Sequence, residues 1–147
     1  MATWLYQLSA DNWSPERYRV EIWEGERWNW SVGAMSGAGQ QPAPGDIMLF
    51  FYAKSAQSVV KDPGFYGWGV ILDWVAKARE IHFRPAAPSD HLKMHPWWDD
   101  QAEQLADEIR GKMRQRTLWL VSDELAKEVR TGMTSWLAGQ SSRENGN

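Results

Sequence analysis

The sequence contains no cysteine, so disulfide bonds, thiolate zinc sites and cysteine nucleophiles are excluded. It also has no apolar run of about 18 or more residues and no basic leader before an apolar stretch, so we expect neither a membrane span nor a secretory signal. The net charge of -3 does not indicate a protein that coats nucleic acid through bulk electrostatics. These absences predict a cytoplasmic protein with no membrane partner.

Motifs that carry catalytic chemistry are also scarce. The glycine-rich stretch 33 to 39 lacks the Lys-Ser/Thr pair that completes a phosphate-binding loop, and no serine nucleophile elbow is present. His91 and His95 lie four residues apart and His82 is near in sequence, but no Glu stands between the pair as a hydrolytic zinc motif requires. We assign no catalytic residue, metal or cofactor. A metal-dependent hydrolase or nuclease that uses these three histidines is the enzymatic alternative.

Tryptophan, in contrast, is abundant, with eleven in 147 residues. Large aromatic side chains fill the core of a small domain, and we assign most of the tryptophans to that role. A few that stay outside the core would be enough to wall a cage, because flat rings around a cavity bind planar or cationic ligands. The tryptophans that come from neighbouring strands are therefore the candidates for a binding site.

Residues 45 to 74 form the stretch around which the chain is organised. The apolar run 47 to 52 follows a Pro-Gly-Asp turn signal, and a second run covers 67 to 74, so the two are predicted to be neighbouring strands. Gly67 and Gly69 would weaken the second strand. Such glycines mark a bulge, a barrel corner or a ligand that lies close to the backbone, and the third option is the functional clue.

The pattern along the rest of the chain predicts further strands and helices. The predicted strands are 3 to 8, 28 to 32, 47 to 52, 67 to 74, 80 to 84 and 117 to 121. One helix begins after the N-cap Ser14 and stops at Gly25, a second begins near Asp99, and a third begins after Ser122 and stops at Gly139. The glycine-rich loop 33 to 44 directly precedes the central strand and is a candidate lid.

These elements predict the fold class. Helices are inserted between strands without strict alternation, which disfavours a doubly wound sheet. We predict an α+β fold, a small mixed and partly closed β-barrel of about six strands with three flanking helices. We expect a single domain over residues 1 to 139 and a disordered tail over residues 140 to 147.

Several aromatic residues come from strands predicted to be neighbours and could converge at one rim of the closed sheet. Polar side chains and the backbone near Gly67 would supply hydrogen bonds that fix the orientation of a planar ligand. The residues of this predicted pocket are Trp28, Trp30, Ser31, Tyr52, Lys54, Gly67 and Trp68. A weaker candidate is a phosphate-contacting patch at the end of the second helix, which Arg79 and Arg84 would join.

The chain resembles the EVE domains of the PUA-like superfamily, which are related to the YTH and ASCH domains. The residues that carry the resemblance are Trp4-Leu5, Trp30-Ser31-Val32, the run from Pro44 to Tyr52, and Gly67-Trp68-Gly69-Val70-Ile71. The resemblance implies a small mixed β-barrel flanked by helices. It also implies a non-catalytic reader that holds a modified nucleobase, flipped from its strand, in an aromatic pocket. By this resemblance Trp30, Ser31 and Val32 fall on the pocket strand, with Tyr52 and Trp68 beside it.

We therefore predict a non-catalytic binding module that recognises a modified, for example methylated, nucleobase in DNA or RNA. The partner is a nucleic acid with a modified base, or a small planar ligand such as a free nucleotide. An interaction domain that contacts a protein partner through an exposed Trp97-Trp98 pair is a further alternative.

Overall fold

The computed structural model describes residues 1–8, 27–37, 39–52, 63–86, 96–112 and 117–145. Seven strands and two helices lie within these ranges. The strands are β1 (Thr3–Leu8), β2 (Trp28–Ser31), β3 (Met35–Ser36), β4 (Ile47–Tyr52), β5 (Gly64–Val75), β6 (Glu80–Pro85) and β7 (Leu118–Val121). The helices are α1 (Asp100–Lys112) and α2 (Asp123–Asn145).

All seven described strands belong to one sheet with the order β2-β6-β5-β4-β1-β7-β3. β1 pairs with β4 in parallel, and so does β3 with β7, whereas the other neighbours are antiparallel. The two edge strands, β2 and β3, are consecutive in the sequence and are separated only by residues 32 to 34. One short segment therefore carries both edges, which requires the sheet to curl into a half-barrel. The α+β class and the partly closed barrel are confirmed at this level.

The curled sheet has a core on each face. Its inner face carries the interior cluster, which includes Trp4, Tyr6, Leu8, Trp30, Val32, Met48, Phe50, Tyr52, Tyr66, Ile71, Ile81, Phe83 and Leu118. Its outer face packs against α1 and α2 through the helix-side cluster, which includes Leu5, Leu49, Phe51, Phe65, Leu105, Ile109, Trp119, Val129 and Met133. Because successive side chains of a strand point to opposite faces, β4 is apolar at every position and feeds both cores.

A buried carboxylate joins the start of β1 to the start of β4. Asp46 is 7% exposed, and its oxygens accept hydrogen bonds from the indole nitrogen of Trp4 (3.1 Å) and the backbone amides of Ala2 and Ala43 (both 3.0 Å). Gly45, directly before it, has a φ of 92°, a conformation that glycine adopts without steric cost. The Gly-Asp pair therefore makes the turn and fixes the parallel strands side by side.

Both helices begin where the sequence predicts them. The carboxylate of Asp99 accepts a hydrogen bond from the Ala102 amide at 2.9 Å, and the hydroxyl of Ser122 accepts one from the Leu125 amide at 3.3 Å. These N-caps satisfy amides in the first turns, which have no partner within the helix. The apolar stripes that follow face the sheet and form half of the buried residues of the helix-side cluster.

Two predictions about the C-terminal part are wrong. α2 does not stop at Gly139 but continues to Asn145, so residues 140 to 145 are helical and not a disordered tail. A glycine inside a helix costs only about 1 kcal/mol relative to alanine, and no proline follows to enforce a stop. Residues 146 and 147 lie outside the described residues.

The element count also differs from the prediction. The loop 33 to 44, interpreted as a candidate lid, contains β3, whose residues Met35 and Ser36 pair with Leu118 and Trp119 of β7. Among the described residues the sheet therefore has seven strands and not six. The helix predicted after Ser14 lies outside the described residues, within which there are two helices and not three.

Trp97 connects the sheet to the helices. Its backbone exchanges two hydrogen bonds with Phe65 (3.1 and 3.0 Å), and its ring lies in the helix-side cluster at 1% exposure. Gly132 of α2 faces this ring so closely that a Cβ atom there would come within 3.0 Å of Cη2, Cζ2 and Cζ3. The helix can approach only because the residue has no side chain.

Candidate functional site

Several strand ends meet at one edge of the half-barrel. Leu8, the last residue of β1, pairs with Tyr52, the last residue of β4, and Tyr52 pairs in turn with Gly64, the first residue of β5. The Gln7 amide donates a hydrogen bond to the Thr117 carbonyl at 2.9 Å, which places the start of β7 beside the end of β1. We call this the upper edge. Barrel mouths of this kind are common places for ligand sites.

Aromatic rings of the interior cluster line the inner face below the upper edge. Tyr52 and Tyr66 lie with ring centroids 4.8 Å apart at a tilt of 54°, and both are fully buried. Trp28, at the start of β2, packs against the same cluster and is only half-buried. The inner face therefore combines fully packed rings with two half-buried tryptophans, Trp28 and Trp74, of which Trp28 belongs to the predicted pocket.

Trp30 is the centre of this packing. Its ring centroid lies 4.5 Å from that of Phe83, 4.6 Å from that of Tyr6 and 5.7 Å from that of Phe50, so rings from β1, β4 and β6 surround it. Only 9% of its surface is exposed. Trp30 thus fills the barrel interior and joins edge strand β2 to the middle of the sheet.

Tyr6 of β1 is hydrogen-bonded across the barrel to the edge strand β2. Its hydroxyl donates a hydrogen bond of 2.7 Å to the backbone carbonyl of Ser31, which belongs to a strand at the far end of the sheet order. Burial disfavours the charged phenolate and raises the pKa of Tyr6 to about 12. Sequence reasoning missed this residue, although its place on the inward side of the alternating strand β1 was the available signal.

With Val32, which the resemblance adds, the predicted pocket has eight residues, and the structure brings four of them together. Trp30, Val32 and Tyr52 lie in the interior cluster, with Trp28 packed against it. Ser31 exposes its side chain, and its carbonyl, not its hydroxyl, is used by Tyr6. Lys54 lies outside the described residues.

The need for a glycine at position 67 is explained by the geometry of the sheet, without a ligand. It pairs with Phe50, while Phe51 pairs with Phe65, so the register between β4 and β5 shifts here by one residue. The φ of Gly67 is 120°, which is unfavourable for other residues. Of the three options that the sequence left open, the geometry is that of a β-bulge.

This bulge explains why Trp68 is not part of the interior cluster, which corrects the prediction. Beyond the extra residue, the alternation of β5 is inverted, so Tyr66 points inward and Trp68 points to the helix-side cluster. The ring of Trp68 is half-buried there, with the guanidinium carbon of Arg130 at 5.0 Å from its centroid. Trp68 therefore cannot share a pocket with Trp30 and Tyr52.

Comparisons with known proteins support the fold alone. No protein-family model and no curated protein matches the chain. Among solved structures, it is similar to a protein from Pseudomonas putida, at 10% sequence identity with a TM-score of 0.54, covering 90% of this chain and 99% of that one. A hypothetical protein from Leishmania major also matches, at 11% identity with a TM-score of 0.49, covering 99% of this chain and 97% of that one.

The histidine cluster of the enzymatic alternative is only partly within the described residues. His82 on β6 contacts Glu80 through Nε2 at 2.6 Å and Arg27 through Nδ1 at 3.0 Å. His91 and His95 lie outside. Within the ranges that the structure describes, no group of three histidine or carboxylate side chains is arranged to hold a metal ion.

Arg79 has a structural role that sequence reasoning did not predict. Its guanidinium donates hydrogen bonds to the carbonyls of Val32 (3.1 Å) and Gly33 (2.7 Å), and its backbone takes a φ of 48° in the turn between β5 and β6. The side chain therefore fixes the exit of β2. Arg79 is engaged with the chain itself and does not join a phosphate-contacting patch.

The predicted protein-interaction surface is also corrected. Trp97 is buried against Phe65, and Trp98 is half-buried against the helix-side cluster, so the two do not form an exposed aromatic pair. In the part of the chain that the structure describes, no helix has both the length and the apolar character needed to cross a bilayer.

Proposed function

We propose that this chain is a non-catalytic reader that holds a modified nucleobase against the aromatic inner face of its half-barrel, as the resemblance to the EVE domains implies. The observation that carries the proposal is the position of Trp28. It is a half-exposed tryptophan beside a cluster of buried rings inside one curled sheet. Barrel mouths with aromatic walls are suited to planar ligands.

The physical basis is stacking against a preformed wall. A base on an aromatic side chain gains about 1–3 kcal/mol, which offsets the few kcal/mol needed to take it out of its strand. Trp28 provides the accessible ring, and the buried rings of the interior cluster, among them Tyr52 and Tyr66, form a rigid aromatic inner face. An added methyl group would be recognised through apolar contact, and no covalent step is needed.

Trp30 has a supporting role in this proposal. Its ring is enclosed by Tyr6, Phe50 and Phe83, so truncation to alanine would remove core packing worth about 3–5 kcal/mol. Loss of binding in Trp30→Ala would then report loss of the barrel and not loss of a contact. Trp28 is the informative position.

The test is a titration of single-stranded DNA and RNA oligonucleotides that carry one methylated cytosine or adenine, with unmodified oligonucleotides and free methylated nucleosides in parallel. We expect Trp28→Ala to weaken binding of the methylated oligonucleotide by about tenfold or more, since one stacking contact is removed. Trp28→Phe should retain most of the affinity.

The matched control is Trp136→Ala, because Trp136 is a half-buried tryptophan on α2, across the sheet from Trp28. Equal weakening by the two variants, or equal affinity for methylated and unmodified oligonucleotides, would refute base reading at Trp28. Binding of the free nucleoside alone would reassign the site to a small planar ligand.

A further inference from the structure

A second concave site lies on the helix side of the sheet. The cavity has a volume of about 510 Å³ and lies between the start of β1, the Trp68 ring on β5 and the first half of α2. Its polar lining includes Asp123, Lys127, Arg130, Thr131, Thr134 and Ser135. The cavity is thus separated from the interior cluster by the sheet, and its volume is that of ordinary small-molecule sites.

Arg130 is the most informative group in this cavity. Its guanidinium lies 5.0 Å from the centroid of the Trp68 ring, which orients it by a cation–π contact. The side chain is half-buried, and within the described residues no carboxylate pairs with it and no acceptor takes its N–H donors. An arginine carries five N–H donors in a rigid fork that matches the oxygens of phosphate or carboxylate. The guanidinium of Arg130 therefore has a defined orientation, and among the described residues its N–H groups are available to an anionic ligand.

The neighbouring residues supply further groups that suit an anion. Lys127 lies one turn before Arg130, and Thr131, Thr134 and Ser135 bring hydroxyl groups to the same side of α2. Thr134 donates its hydroxyl to the Arg130 carbonyl at 2.8 Å, so only its lone pairs face outward, and the hydroxyls of Thr131 and Ser135 are the donors. Two cations stand against one carboxylate, Asp123, which leaves the cavity wall positive.

We propose that this cavity binds a small organic phosphate monoester, of the size of a nucleoside monophosphate. Arg130 and Lys127 hold the phosphate, and the indole of Trp68 forms an apolar wall for the organic part. A monoester is favoured over a bare ion because the volume exceeds what a phosphate ion fills, and because the wall beside the cations is aromatic. The site does not depend on the proposed base-reading function, since the two lie on opposite faces of the sheet.

The experiment is an NMR titration of the full chain at constant ionic strength, with adenosine 5′-monophosphate, adenosine and inorganic phosphate as separate probes. The indole N–H signal of Trp68 is assigned by its absence in Trp68→Phe. We expect the monophosphate to shift this signal and the α2 amides around Arg130. Adenosine should bind about tenfold or more weakly, because it lacks the charge-assisted hydrogen bonds.

Arg130→Gln is the deciding variant, and Arg84→Gln is its control, because Arg84 is an exposed arginine on β6 and its substitution makes the same change in charge. Arg130→Gln should weaken the monophosphate about tenfold or more, Arg130→Lys should weaken it less, and Arg84→Gln should leave it within about twofold. A urea melt of each variant confirms that the fold is retained.

Three outcomes would overturn the proposal. They are no shift of the Trp68 signal up to about 10 mM monophosphate, equal effects of Arg130→Gln and Arg84→Gln, and equal affinity for adenosine and its monophosphate. Tighter binding of a short oligonucleotide than of the monophosphate, with the same dependence on Arg130, would assign the site to a nucleic-acid backbone instead. None of these results would change the Trp28 test, because Trp28 lies across the sheet.

Discussion

Gly132 offers a sharp test of how the helices dock on the sheet. An added Cβ would lie within 3.0 Å of three atoms of the Trp97 ring, a distance that real Cβ atoms essentially never show. The ring cannot move away at low cost. Trp97 is 1% exposed, and its backbone N–H and C=O are both hydrogen-bonded to Phe65. Gly132→Ala must therefore displace α2 or distort the core.

The magnitude follows from two opposing terms. Overpacking a well-filled core costs about 1–3 kcal/mol and can cost more. Replacing glycine by alanine inside a helix returns about 1 kcal/mol through better helix propensity. Since the atoms in conflict belong to a rigid ring, we expect the upper part of the overpacking range and a net loss of about 1–2 kcal/mol.

Gly139→Ala in the same helix is the control. An added Cβ at Gly139 meets nothing within 4 Å, so only the propensity term acts and the free energy of unfolding should rise by about 0.5–1 kcal/mol. The two alanine substitutions are chemically identical, yet opposite signs are expected. Only the contact with Trp97 distinguishes them.

Urea denaturation monitored by far-UV circular dichroism measures both variants, with the midpoint compared at an unchanged m-value. In a Trp97→Phe background the smaller ring no longer reaches the new methyl group, so Gly132→Ala should cost less there than in the parent chain. A Gly132→Ala variant as stable as the parent would refute the close approach of α2 to Trp97.

Two further predictions concern Tyr6 and Asp46. Because burial raises the pKa of Tyr6 from 10.0 to about 12, the unfolded chain ionises first, and the stability that this group contributes is complete below pH 10 and is lost as the pH rises toward 12. Tyr6→Phe should flatten that alkaline loss in thermal melts, and an unchanged slope would contradict it. Asp46→Ala leaves the Trp4 indole and the Ala43 amide without their acceptor, so chemical denaturation should show a loss of about 2–4 kcal/mol. Asp73→Ala, at an exposed carboxylate on β5, should change stability by less than about 0.5 kcal/mol.

Local sequence rules predicted most of the described architecture. The apolar runs of β1, β4 and β7 and the N-caps Asp99 and Ser122 mark elements whose cause lies within a few residues, so pattern and capping chemistry were sufficient. The strand β3 was missed because two residues in a glycine-rich loop carry no periodicity. Its pairing with β7 is purely long-range.

The residues of the candidate site were harder to predict, because the alternation of inward-facing and outward-facing side chains along β5 is broken at each bulge. The register shifts once between Phe50 and Phe51 of β4 and again between Ile71 and Asp73 of β5. Each shift inverts which side chains face inward. Tyr66 and Trp68, which simple alternation would place on the same face, therefore point to opposite faces. The glycine at position 67 was a visible signal of the first bulge.

The arginines were likewise beyond local rules. The guanidinium of Arg79 donates hydrogen bonds to the carbonyls of Val32 and Gly33, whereas that of Arg130 lies over the Trp68 ring and meets no acceptor among the described residues. Such differences depend on partners about 50 residues or more away, and only the folded chain brings them together.

The position of β7 between β1 and β3 has a consequence for folding during synthesis. β3 and the side of β1 opposite β4 both pair with β7, which is the last of the described strands to be synthesised. A nascent chain that ends before residue 118 therefore lacks the strand that joins β1 to β3. It exposes unpaired backbone donors and acceptors on both of these strands. The sheet can therefore reach its full strand order only after the four residues Leu118–Val121 have been synthesised.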